Sequence, residues 1–201
     1  MNNYTNDNIV KQKTEKMKKL SMLLLALGLV WAVNAQAPYR HSIGVTLGNM
    51  EAFSYKTFFT DHLAFSVDAG YKWTISPATY KQKGTPYAWH DRMSWVTSFE
   101  ANPNLMYEAP TNAGGLHWFV GGGLSGGYGW TNFTYGDIYG YNYRVFFGKL
   151  GVNAIGGIEY VFNFPLTLQA DFRPGFGLMF NRDYNVNYFD WGVMVGARYA
   201  F

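Results

Sequence analysis

Cysteine is absent from the 201-residue chain, so neither a disulfide framework nor a lipid-anchor cysteine is available. Charge is scarce as well. Only 14% of residues are Asp, Glu, Lys or Arg, where a soluble domain carries about a quarter. Beyond the first 35 residues no apolar stretch approaches the roughly twenty residues of a spanning helix, which excludes helical membrane spans. An excess of basic charge is also lacking. Residues 1–35 hold five of the 16 basic residues and two of the 13 acidic ones, leaving eleven of each. A neutral chain gives no support for nucleic-acid binding.

Aromatic residues and glycine fill the space that charge leaves: 39 Phe, Trp and Tyr, and 23 Gly. Lys16, Lys18 and Lys19 precede an apolar run from Leu20 to Val33, which ends in Asn34-Ala35-Gln36-Ala37. A basic head, a short apolar middle and a small-x-small exit predict a secretory signal peptide over residues 1–35, cut after Ala35 or Ala37. Met17, followed by two lysines, reads as a more natural start than Met1. Residues 36–201 then form one domain.

That domain alternates. In the last fourteen residues, Phe189, Trp191, Val193, Val195, Ala197, Tyr199 and Phe201 share one face, while Asp190, Gly192, Met194, Gly196, Arg198 and Ala200 share the other. A period of two makes one strand with two unlike faces. The same pattern predicts strands over Ser42–Gly48, Ala52–Thr60, a third through Leu63 and Trp73, Ser94–Glu108, Leu116–Trp130, Gly148–Phe162 and Leu166–Phe180. Eight strands in a meander predict an all-β, antiparallel up-and-down transmembrane barrel. Polar stretches at 76–92 and 131–146 read as long external loops, and the other side as short turns. An even strand count puts both termini on the periplasmic side. Pro103 and Pro174 predict a bulge at one or both positions, because a closed sheet needs every backbone donor.

Which face turns inward follows from composition and depth. The polar face is mostly Gly, Ser, Asn and Thr, too poor in charge for a surface in water and small enough for the interior of eight strands. The rings sort into two bands. Trp73, Trp95, Trp130 and Trp191 are expected at the outer rim, and Tyr107, Trp118, Tyr160 and Tyr199 at the periplasmic rim. The inward face carries Lys56, Asp68, Lys72, Glu100, Glu108, Lys149, Glu159, Asp171, Arg173 and Arg198, five basic and five acidic. Charges this far from water must pair, so an ionic plug is expected, with a narrow selective lumen as the alternative.

Other motifs carry little chemistry. Gly121-Gly122-Gly123-Leu124-Ser125-Gly126 fits GxGxxG literally, but it lies inside a period-two segment rather than a strand-turn-helix, so small inward residues are the expectation. Asn132-Phe133-Thr134 is a sequon without meaning in a bacterial envelope protein. His41, His62, His90 and His117 form no pair at metal-ligand spacing, and no cofactor is indicated. No nucleophile-base-acid set stands out, so an enzyme acting on lipid is the third reading. The Tyr-rich stretch Tyr135–Tyr143 offers amphipathic rings either to a surface ligand or to lipopolysaccharide headgroups.

The eight-strand meander, Ile155-Gly156-Gly157-Ile158-Glu159-Tyr160, Asp171-Phe172-Arg173-Pro174-Gly175-Phe176 and the terminal Arg198-Tyr199-Ala200-Phe201 together resemble the small outer-membrane β-barrel family of Gram-negative bacteria, of the OmpA/OmpX type. The resemblance covers Ser42–Phe201. It implies a cell outer-membrane location, lipid and lipopolysaccharide as surroundings, and a non-enzymatic role in envelope integrity or surface interaction. It also implies that Phe201 is read by the barrel-assembly machinery during insertion. Segments 74–93 and 131–147 are the places expected to meet a surface ligand.

Overall fold

A computed structural model describes the backbone of residues 37–82, 88–135, 141–182 and 184–201. Of these, 75–82, 88–94, 132–135, 141–143, 184 and 186 are described by backbone alone. The expected signal peptide at 1–35 lies outside the described residues. Eight strands follow in chain order: β1 (His41–Gly48), β2 (Met50–Phe58), β3 (Leu63–Gln82), β4 (Ala88–Pro110), β5 (Leu116–Tyr135), β6 (Tyr141–Val161), β7 (Leu166–Phe180) and β8 (Tyr184–Ala200). Each pairs antiparallel with the next, and β1 pairs with β8 to close the ring. The chain is therefore an all-β, eight-stranded up-and-down barrel, the architecture implied by the OmpA/OmpX-type resemblance. Closure leaves no free sheet edge, which a strand structure in an apolar medium requires.

Burial runs opposite to that of a water-soluble domain. Phe53, Trp95 and Trp191 stand 78%, 62% and 62% exposed, while Lys56 and Arg198 are 0% and 1% exposed. The cause is the period-two pattern: among the described side chains, those at even positions of β1, β2, β3, β4 and β8, and at odd positions of β5, β6 and β7, point inward. Small inward residues make room for large ones. A Cβ added at Gly151 would lie 2.3 Å from the Tyr188 hydroxyl, so that ring fits inside only because position 151 lacks a side chain. Of the four glycines in the GxGxxG stretch, Gly121 and Gly123 meet the expectation of small inward residues. Gly122 and Gly126 face outward, where a Cβ at Gly126 would meet nothing nearer than 3.9 Å.

Three differences from the sequence reading concern the strand ends. The segments read as long loops, 76–92 and 131–146, are largely strand. Ala78 pairs with Asp91 and Lys81 with Ala88, and on the next hairpin Asn132 pairs with Arg144 and Tyr135 with Tyr141. The period-two pattern of the sequence stops there, but the backbone ladder does not. Five residues separate β3 from β4 and β5 from β6, and those at 83–87 and 136–140 lie outside the described residues. The asymmetry of the barrel thus comes from long strands rather than long loops.

The first hairpin is short, with Asn49 alone between β1 and β2. Past its tip β3 meets β8 directly, Lys81 opposite Asn185 and Gln82 opposite Tyr184. The prolines also differ from expectation. Pairing between β4 and β5 skips 102–103 and resumes in the same register, and β6–β7 skips 154–155 opposite 173–174 likewise. Each proline removes a donor without inserting a residue, so neither position is a bulge. The register shift lies instead between Ser76 and Ala78, around Pro77.

Candidate functional site: the charged interior

The end of the barrel that carries the turns at 59–62, 111–115 and 162–165 is termed the base. Inside it, charged side chains assemble into two networks, because inward positions on neighbouring strands meet across each register. The network nearer the base centres on Lys56. Its ammonium lies 2.5 Å from Glu108 Oε2 and also bonds Glu159 Oε2. Arg198 continues the chain. Its Nη1 is 3.7 Å from Glu159 Oε1 and donates to Gln169 Oε1 at 2.5 Å, while its Nε donates to Ser54 Oγ at 2.8 Å. Gln169 Nε2 donates to Asp171 Oδ2, and Arg173 bonds both oxygens of Asp171 while its Nη1 reaches Asp68 Oδ2 at 2.6 Å. The fork of Arg173 thus joins two carboxylates in the geometry that guanidinium favours.

The second network is a four-membered ring farther from the base. Lys72 Nζ lies 2.7 Å from Asp190 Oδ2 and 3.7 Å from Glu100 Oε2. Lys149 Nζ lies 2.6 Å from Glu100 Oε1 and 2.9 Å from Asp190 Oδ2. Ser98 Oγ donates to Glu100 Oε1 at 2.6 Å, and the Lys149 ammonium sits over the Tyr188 ring at 4.2 Å. Between the networks stands an apolar cluster of Met50, Ala52 and Met194, with Met50 opposite Lys72 and Met194 opposite Asp171. Among the described residues no hydrogen bond or ion pair joins one network to the other.

The base is closed by apolar groups and by the segment before β1. Phe58, Ala64, Met106, Phe119 and Ile155 pack together, with Ala37 and Tyr39 against them. The Tyr39 ring meets Phe58 edge-on at 5.2 Å, and its hydroxyl donates to Glu159 Oε1 at 2.8 Å. One short segment therefore caps the base-side network and the apolar cluster together.

All ten charges assigned to the inward face from sequence are buried inside the barrel, split between the two networks. Asp190 was not among them. It is 5% exposed and bonds both lysines of the upper ring, and its even position on the last strand was the signal available. Tyr39 lies before any alternating segment, so period two could not find it. With Asp190 counted, the described interior holds six carboxylates against five Lys and Arg.

On the outside, the aromatic residues meet one another, across strands or along one strand end. Trp73 meets Trp95 at 6.0 Å, Phe99 meets Trp130 at 6.2 Å and Phe172 meets Trp191 at 6.2 Å. Toward the base, Tyr107 meets Trp118 at 5.8 Å, Tyr160 meets Phe162 at 4.8 Å and Tyr199 meets Phe201 at 6.2 Å. Phe201 also stacks near His41 across the β1–β8 closure, where the two residues exchange backbone hydrogen bonds of 2.9 and 2.8 Å. On β3 the span from Leu63 to Trp73 is ten residues, about 33 Å along the strand. Tilted about 45°, that is roughly the 25 Å apolar height of an outer-membrane barrel.

Among the described residues no three His, Asp or Glu side chains converge as metal ligands. No family model matches the chain, and no curated protein matches it. Among solved structures, the chain is similar to Neisserial surface protein A (NspA) at 16% identity and a TM-score of 0.47, covering 80% of this chain and 93% of that one. It is also similar to the N-terminal β-barrel domain of Pseudomonas aeruginosa OprF, at 16% identity and a TM-score of 0.42, covering 80% and 95%.

Proposed function

We propose that the chain is a non-enzymatic integral barrel of the cell outer membrane, with both termini in the periplasm and its lumen plugged by ion pairs. Its role is envelope integrity or surface interaction. The inverted burial carries this reading: thirty large apolar side chains among the described residues are exposed, while eleven charged ones are buried inside. Left in water, that outer surface would far exceed the few hundred Å² of contiguous apolar patch that monomers tolerate. Buried in lipid it costs nothing, and the two aromatic bands fall where headgroups would be. The base, with its tight turns, is the periplasmic side. The overhang of β3–β6 then stands above the outer leaflet, where lipopolysaccharide or a surface ligand meets it.

The plug follows from stoichiometry and space. Eight strands enclose little more than their own side chains, and here those side chains bond one another. A second reading, a narrow passive pore, draws on one observation. Several buried polar atoms, among them Asp68 Oδ1, Asn102 Oδ1, Thr46 Oγ1 and Thr167 Oγ1, have no partner, and water would satisfy them.

Electrophoretic mobility tests the barrel itself. Purified protein folded into detergent should migrate differently before and after boiling, and identical migration would count against the reading. Placement is tested by epitope tags. A tag inserted at 83–87 or 136–140 should be detected on intact cells, and one at 111–115 only after the outer membrane is opened.

A further inference from the structure

The two networks divide the interior charge unequally. The upper ring sets Lys72 and Lys149 against Glu100 and Asp190 and is balanced. The base-side network sets Lys56, Arg173 and Arg198 against Asp68, Glu108, Glu159 and Asp171, which leaves one carboxylate without a counter-charge. A lone buried charge is costly enough that the group neutralises instead. The surplus therefore calls for a proton, and the geometry limits where it sits.

Asp171 and Asp68 share Arg173, and Glu159 receives Lys56, Arg198 and the Tyr39 hydroxyl. Glu108 has one bonded oxygen, toward Lys56. Its Oε1 is buried without a hydrogen-bond partner, and His117 Nδ1 lies 3.5 Å from it. His117 begins the inward face of β5, opposite Glu159 in register, and keeps 11% of its side chain exposed near the base. Every element packed here can be named. The segment before β1 presents Tyr39, β2 Lys56, β4 Glu108, β6 Glu159 and β8 Arg198, while β1, β3 and β7 present the uncharged Ser42, Ser66 and Thr167. The other described histidines face no carboxylate: His41 contacts the Tyr55 and Thr57 hydroxyls, and His62 the Glu108 backbone carbonyl.

We propose that Glu108 and His117 together hold one proton, which balances the base-side network and makes the closure of the base sensitive to pH. The proton resides on Glu108 Oε1 or His117 Nδ1 and enters from the base, where His117 meets water. Rising pH removes it, leaving Glu108 and Glu159 to repel across a single Lys56, and the seal that Tyr39 and Phe58 complete is weakened. The folded state thus binds one proton more than the unfolded chain over the window in which the pair keeps it. Stability is retained below the histidine range of about 6.5 and falls as pH rises through the release of the proton.

Urea unfolding of the full barrel in phosphatidylcholine vesicles, followed by tryptophan fluorescence at pH 6, 7, 8 and 9, tests this. For the wild type the folding equilibrium constant should drop about tenfold per pH unit between the histidine range of about 6.5 and the point of release, and level off above it. Glu108→Gln carries a neutral amide in place of the protonated carboxyl, so its stability should stay flat and exceed the wild type at pH 9. His117→Gln should shift the onset of the wild-type fall, and His62→Gln should leave it in place. A flat wild-type profile would overturn the proposal. So would a Glu108→Gln or His117→Gln profile identical to wild type, or loss of the dependence in His62→Gln alone.

Discussion

Lys149 illustrates what a single side chain does inside this barrel. It is 1% exposed, spans Glu100 and Asp190, and lies against the Tyr188 ring. Lys149→Met keeps the volume and strands two carboxylates facing only Lys72, so it should destabilise the barrel by about 3–5 kcal/mol. Adding Glu100→Gln should recover part of that loss, because the pair is removed together. Urea titration in vesicles measures both. At the base, Tyr39→Phe keeps the edge contact with Phe58 and deletes the donor to Glu159. A hydrogen bond to a charged acceptor contributes about 1.5–3 kcal/mol, and the same titration should register a loss of that order. These residues were not equally legible. Lys149 and Asp190 announce themselves by parity, whereas Tyr39 folds back from a segment with no periodicity.

The strands carry the clearest sequence signal and also its limit. Period two reports which face meets apolar surroundings, so it identified outward residues correctly through the aromatic bands. It fell silent above them, where the sequence no longer alternates, although β3–β6 run on as paired strands of twenty or more residues. A ladder needs only backbone groups, and backbone groups leave no trace in hydropathy. The gap between the expected strands Ser42–Gly48 and Ala52–Thr60 leaves room only for a short hairpin around Asn49, but the direct β3–β8 pairing beyond it has no such sign, since it joins segments about a hundred residues apart. The last strand yields a prediction of its own. Phe201 bonds His41 across the closure and stacks on Tyr199 at the base rim. Deleting Phe201 should slow insertion into vesicles several-fold yet change the urea midpoint of barrels already folded only slightly. An equal effect on both would show that Phe201 acts through stability alone.

At the scale of the whole molecule, the fold exchanges the usual distribution of polarity. On the proposed reading, apolar side chains face outward because lipid receives them, and eleven charged ones face inward because they find each other there. The interior has two ionic layers separated by methionines and is closed at the base by Tyr39 and Phe58. On that reading the body has a wall but no open bore, and the part proposed to stand above the membrane is the raised rim formed by the long strands. Planar-bilayer recording of protein whose unheated form migrates as a folded barrel tests this directly. The account predicts no stable unitary conductance for the wild type. A stable unitary conductance whose size changes on Lys72→Gln or Glu100→Gln would contradict it, because current would then pass through the ring of charges that is held to seal the lumen.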